Sequence, residues 1–383
     1  MDEKIRKISI AIPSLGDEEW QAVREPLLSG WMTQGPKVSQ FEKEFAALHK
    51  VNHALAVTSC TTGLHLVLEA LGVGPGDEVI VPAFTWVATA NVVLYCGATP
   101  IFCDVDTTTF NIKVEEIASK ITERTKAIIP VHLFGLCADI DAIQAIIPSH
   151  VKILEDAACA AGASYKNRPA GSLGDMAAFS FHPRKSITTG EGGMVTTNDQ
   201  ELARLSDIMR NHGAEISEEM RHNSSKPYLL PDFKMLGFNY RMTDLQAAIG
   251  LVQLKKLQSF IKERQVWAEY YTEKLKTISW LRPQITPEYI TQHAWQAYVF
   301  YVDPEKAPMS RNDIMDILQH KGIATRPGTH AVHMLSFYKE KYGIAPDDFP
   351  GAKACDQNTM AIPLHNKMTK EDFDYVIEAL KAI

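Results

Sequence analysis

The chain has 383 residues, 45% of them hydrophobic and 22% charged, with a formal charge of −7 at pH 7. This composition can build a large core, and the length favours two or three domains over one. The acidic balance, without any extended Lys/Arg run, argues against nucleic acid as a partner, and no stretch approaches the about 18 apolar residues of a membrane span.

The opening Met1–Arg6 has neither the apolar run nor the small-residue cleavage site of a secretion signal, so a soluble cytoplasmic protein is expected. The cysteines Cys60, Cys96, Cys103, Cys137, Cys159 and Cys355 are scattered without a C-x-x-C pair. That spacing suggests neither a disulfide framework nor a metal site.

From about Ala54 to Thr197, short β-rich runs alternate with helical patterns. The predicted strands are Ala54–Thr58, Glu78–Val81, Pro100–Asp104, Ala127–Val131, Val151–Glu155, Ala177–Phe181 and Gly193–Thr197. Their apolar runs are nearly continuous, as in strands covered on both faces. Gly63–Leu71, Trp86–Tyr95 and Asp139–Ile147 read as helices between them, which predicts an α/β layer with a largely parallel sheet. Residues 199–212 look helical, and Glu215–Lys226 reads as an exposed polar loop. A long helix is predicted from Thr243 to Thr277, followed by a strand at Trp295–Val302 and a last helix opened by Thr369 with Asp372 three residues on. The expected division is an N-terminal arm and large α/β domain (1–242), a connecting helix (243–280) and a smaller α+β domain (281–383). The active site is expected in the cleft between them, at the C-terminal ends of the strands.

Four segments carry chemistry. Thr58-Ser59-Cys60-Thr61-Thr62-Gly63 places hydroxyls and unpaired amides where a helix begins, which suits an anion such as phosphate. Simple N-capping by Ser59 or Thr61 explains the same residues. Trp86, in Phe84-Thr85-Trp86, could stack on an aromatic cofactor, although a lone Trp is more often part of a core. Asp156 follows the strand candidate Val151–Glu155 and should emerge at that strand's C-terminal end, where an acid can partner a protonated ring nitrogen. Lys185 lies in Phe179-Ser180-Phe181-His182-Pro183-Arg184-Lys185-Ser186-Ile187-Thr188-Thr189-Gly190-Glu191-Gly192-Gly193. A lysine that condenses with a carbonyl must shed its proton, and Arg184 and His182 supply positive charge nearby. Taken alone, such a lysine is most often a solvated loop residue.

The order of these pieces resembles the DegT/DnrJ/EryC1/StrS family of sugar aminotransferases, enzymes of fold type I that depend on pyridoxal 5′-phosphate. Further likeness lies in Gly30-Trp31-Met32-Thr33-Gln34-Gly35-Pro36, Gly74–Pro82, Val131–Gly135 and Gly237–Ala248. The resemblance implies a large domain with a mostly parallel seven-stranded sheet and a smaller C-terminal domain. It makes Lys185 the Schiff-base lysine and proton carrier, Asp156 the partner of the ring nitrogen and Trp86 the stacking ring. Thr61, Thr62 and Ser180 would hold the phosphate, and Asn239 or Arg241 would reach the neighbouring subunit's phosphate in a homodimer with shared sites. Trp31, Thr33, His182, Arg326 and His330 fall at substrate-facing positions. Cys159 stands where the family commonly has Gln or His beside the cofactor's 3′-oxygen, and a thiol is the weaker donor. Gly328-Thr329 replaces the bulky aromatics that follow Arg-Pro in perosamine-type enzymes.

The implied reaction moves an amino group from L-glutamate, with L-glutamine as the alternative donor, to a nucleotide-linked 4-keto-6-deoxy sugar destined for a polysaccharide, lipopolysaccharide or glycosylated metabolite. A 3-keto sugar, a cyclitol or a small phosphorylated ketone are the alternative acceptors. Lys185 speaks against the related dehydratases, which carry histidine there, and with Asp156 against a non-catalytic regulatory protein of the same fold.

Overall fold

The computed structural model describes residues 6–216, 222, 225–226 and 228–383. Seven strands form the main sheet: β1 (His53–Val57), β2 (Glu78–Pro82), β3 (Thr99–Cys103), β4 (Thr125–Ile128), β5 (Lys152–Asp156), β6 (Met176–Ser180) and β7 (Gly193–Thr197). Their order is β1-β7-β6-β5-β4-β2-β3, and only β7 runs against its neighbours. All seven predicted strands are present within one or two residues, except that β4 stops at Ile128 rather than Val131. Pro130 interrupts it, having no N–H to donate.

Alternation along these strands sorts side chains onto two faces. Ala54, Ala56, Ile80, Ile128, Ile153, Ala177 and Phe179 enter one core, with Phe41 and Phe45 of the Pro36–His49 helix. Leu55, Val57, Val79, Val81, Ala127, Leu154 and Ala178 enter the other, with Leu64 and Val67 of the Cys60–Ala70 helix. Helices thus cover both faces, which is why the strands read as unbroken apolar runs.

The Asp244–Leu275 helix has 32 residues, about 48 Å at 1.5 Å per residue. Leu251, Leu254, Leu257 and Ile261 pack into the first core, whereas Ala268, Tyr271 and Leu275 pack into a third core beneath the C-terminal sheet. That four-stranded sheet is built from Leu281–Pro283, Tyr298–Val302, Thr359–Ile362 and Arg326–Pro327. Its second strand starts at Tyr298, not at Trp295 as predicted, because Trp295 has φ 44° and stacks on His293 at 3.9 Å between centroids. The predicted loop Glu215–Lys226 falls largely outside the described residues. No helix among the described residues is long and apolar enough to cross a membrane.

Candidate active site

The C-terminal ends of the parallel strands open into a cavity of about 610 Å³. Thr61, Trp86, Asp156, Cys159, Ser180, His182, Lys185, Arg326 and His330 all line it, although they come from five separate stretches of chain.

One end is the start of the Cys60–Ala70 helix, whose first amides have no partner one turn back. Ser59 caps the helix by accepting from the Thr62 amide at 3.1 Å, and the Thr62 hydroxyl returns 2.8 Å to the Ser59 carbonyl. Thr62 is thereby absorbed in capping and does not line the cavity, whereas Thr61 does. Gly193 makes this corner possible: a Cβ there would lie 2.5 Å from the Ser59 carbonyl carbon, so only glycine lets β7 approach the cup that Ser59, Cys60 and Thr61 form at the helix start.

Asp156 is 5% exposed and ends β5. It accepts from the Thr89 hydroxyl at 2.8 Å and the Ala158 amide at 3.1 Å. Thr85 completes the chain, 3.0 Å from Thr89. Burial pushes the Asp156 carboxyl up, with these donors pulling the other way. The preceding Glu155 points to the opposite face, where His132 lies 2.8 Å away and the amides of Gly171, Leu173 and Gly174 donate to it.

The Lys185 loop is far from a loose surface turn. The Thr189 amide and Thr188 hydroxyl donate to the Phe181 carbonyl at 3.0 and 2.8 Å, and the Gly190 amide donates to Thr188 at 3.0 Å. Gly190 takes φ 86°, a left-handed turn that other residues adopt at a cost. Lys185 Nζ donates to Cys159 Sγ at 3.2 Å. Burial opposes the lysine's charge, but Cys159 and Asp156 outweigh it and hold the ammonium above the usual range. Cys60 is itself pushed far up by burial and by Asp156, so near neutrality it is an uncharged thiol. Burial lowers His182, whose Nδ1 accepts from the Arg184 amide at 3.2 Å.

The far wall comes from the C-terminal part of the chain. His330 and Ala331 pair with Thr85 and Phe84, which brings the His330 ring 5.7 Å from Trp86. His333, three residues on, is buried and faces the Pro346 carbonyl at 3.2 Å, a local packing role. Trp31, Thr33, Asn239 and Arg241 do not line the cavity. Trp31 Nε1 donates to the Gln34 carbonyl at 3.3 Å, and the Thr33 carbonyl accepts from the Asp244 amide at 3.0 Å. Arg241 donates to Asn211 at 2.8 Å beside the end of β1, while Asn239 is exposed. Sequence reasoning missed Thr89, Glu191 and Gln296. The latter two line the cavity, with Gln296 donating to the Arg184 carbonyl at 2.8 Å.

The sequence matches the DegT/DnrJ/EryC1/StrS aminotransferase family over residues 13–381. The chain belongs to this family. It is 42% identical over 377 residues to the spore coat polysaccharide biosynthesis protein SpsC of Bacillus subtilis, covering 97% of this chain and 96% of that one. It is 40% identical over 382 residues to GDP-perosamine synthase of Caulobacter vibrioides, covering 98% of both. The structure superposes on Spr1654 of Streptococcus pneumoniae, described as a sugar aminotransferase and solved in its PMP form, with TM-score 0.92, 31% identity and 98% of each chain covered. This aminotransferase is accordingly a pyridoxal-phosphate-dependent sugar aminotransferase of fold type I.

Proposed function

We propose that this aminotransferase moves an amino group from L-glutamate to the 4-keto group of a nucleotide-linked 6-deoxy sugar, with Lys185 as its catalytic residue. The observation that carries the reading is one cavity holding Lys185, the buried Asp156 and the start of the Cys60–Ala70 helix, opposite Arg326 and His330. Those groups suit pyridoxal phosphate: amides with Thr61 and Ser180 for its phosphate, Asp156 for its ring nitrogen, Trp86 for its ring and Cys159 for the region of its phenolic oxygen. When bound, the cofactor supplies a reactive carbonyl and an electron sink. Lys185 Nζ holds the proton and moves it at the substrate carbon, while Asp156, kept in place by Thr89, keeps a proton on the ring nitrogen. Arg326 offers a guanidinium fork to the nucleotide's diphosphate, and His182 and His330 flank the sugar. In this reading residues 1–242 hold the cofactor, 243–280 connect, and 281–383 supply the nucleotide-sugar side. The 40% identity to GDP-perosamine synthase supports the 4-keto acceptor, and SpsC supports a product used in a surface polysaccharide.

Adding L-glutamate to the cofactor-loaded enzyme should abolish the visible absorbance of the lysine-linked cofactor and release 2-oxoglutarate. A nucleoside-diphosphate-linked 4-keto-6-deoxy sugar should then restore it. Restoration only by 3-keto sugars or cyclitol ketones would sink the 4-keto assignment, and a response to L-glutamine alone would reassign the donor.

A further inference from the structure

Behind the cup, the Cys60–Ala70 helix presents His65 and Glu69 one turn apart towards Cys96, which follows the Ala88–Tyr95 helix. One ligand atom from each lies within 4.8 Å of the others. His65 Nε2 is 3.4 Å from the Glu69 carboxylate. His65 and Cys96 are 6% and 7% exposed, and Glu69 is half-buried at the rim.

The histidine is already oriented as a ligand. Its Nδ1 lies 3.0 Å from the Tyr240 hydroxyl, and in the tautomer that donates from Nδ1 to that oxygen the Nε2 lone pair faces Glu69 and Cys96. Nε2 is buried and faces the Glu69 carboxylate at 3.4 Å. A hydrogen bond on the outer nitrogen, fixing the tautomer of the inner one, is the usual support of a metal-bound imidazole.

We infer that His65 Nε2, the Glu69 carboxylate and Cys96 Sγ form a binding site for a divalent transition-metal ion of the zinc class, separate from the catalytic cavity. The mixed nitrogen, oxygen and sulfur set suits a borderline-soft ion, and three protein ligands leave one tetrahedral position for water. The ion joins the two helices that carry Thr61 and Thr89. Through Tyr240 it also steadies the stretch containing Asn239 and Arg241. The cysteine spacing alone suggested no metal site, because the third ligand comes from a different helix.

Metal-stripped, cofactor-loaded enzyme should take up one Zn²⁺ per chain in competition with a chromogenic chelator. Zinc-edge X-ray absorption should show one sulfur at about 2.3 Å beside nitrogen and oxygen at about 2.0–2.2 Å. Glu69→Gln and Cys96→Ala should each weaken uptake by at least about tenfold, the least cost of disturbing such a site, while Cys159→Ala should leave uptake intact. Retained cofactor absorbance reports folding; should Cys96→Ala not fold, Glu69→Gln and the wild-type spectrum decide. No uptake, a shell without sulfur, or uptake indifferent to Glu69 and Cys96 overturns the site.

Discussion

Asp156 does two things that one substitution should separate. Its carboxylate is buried, and burial raises its pKa in the folded protein above the unfolded value. For an acid so shifted, ionisation at neutral pH costs stability, and the cost disappears below the unfolded pKa. Asp156→Asn should therefore raise the melting temperature of the cofactor-free protein at pH 7 and change little at pH 3. The amide oxygen can accept from the Ala158 amide while the NH2 donates to the Thr89 hydroxyl, so the fold keeps its contacts. Turnover should nonetheless fall more than about tenfold, roughly 1.4 kcal/mol of barrier, because an amide cannot keep the ring nitrogen protonated. A smaller kinetic loss rules Asp156 out as the ring-nitrogen partner. Lys185→Ala should abolish transamination altogether in a protein of unchanged circular dichroism, and near-normal turnover would remove Lys185 from the mechanism. Asp156 and Lys185 stand out in the sequence because each follows an apolar strand. Thr89 does not stand out, since only the turn of the Ala88–Tyr95 helix brings its hydroxyl to the carboxylate.

The close meeting of β7 with the start of the Cys60–Ala70 helix gives a test at the scale of elements. Gly193→Ala introduces a Cβ 2.7 Å from the Cys60 amide nitrogen, where backbone must move to admit it. Cofactor affinity in a spectroscopic titration should weaken at least about tenfold, with about 1–3 kcal/mol of stability lost to overpacking. Wild-type affinity would show that the cup does not depend on this contact. The main strands were legible because helices bury both of their faces and so leave unbroken apolar runs. The joints between elements were not. Asp244, predicted only as part of a family motif, accepts from the Gly35 and Val38 amides at 2.9 and 3.0 Å and so caps a helix more than 200 residues earlier. No local pattern announces a cap supplied from that far along the chain. His65 and Glu69 show the same limit: their one-turn spacing is visible on the helix, but the position of Cys96 is a property of the packing.

At the scale of the whole molecule, Asn239 and Arg241 lie outside their own chain's cavity. If either reaches the other subunit's phosphate, a Lys185→Ala chain can still donate that contact, and a chain mutated at the contact residue still carries a good lysine. Mixing the two inactive proteins under subunit exchange should regenerate one site per heterodimer, about a quarter of the wild-type sites by two-fold symmetry. With exchange shown independently by mass spectrometry, no recovery would mean that the stretch serves its own subunit.

The place of β1 has a consequence for how the chain acquires its shape. β1 lies at the edge of the sheet and is held along its length by β7, with His53 opposite Thr197 and Val57 opposite Gly193. Its outer side is met by side chains and loop instead of another strand: the Ala56 amide donates to Glu42 and its carbonyl accepts from Arg210, each at 2.7 Å, Val57 bridges Arg241, and the Thr58 amide donates to the Tyr240 carbonyl. During synthesis the first strand to leave the ribosome must wait for the last, while β2 to β6 can assemble among themselves. Such distant pairing slows folding and leaves an unpaired edge open to other chains in the meantime. The phosphate cup, which hangs between β1 and the first turn of the next helix, takes shape only when this late pairing closes. Newly made chains should therefore acquire cofactor only at the end of folding, and a chain ending before Gly193 should bind none.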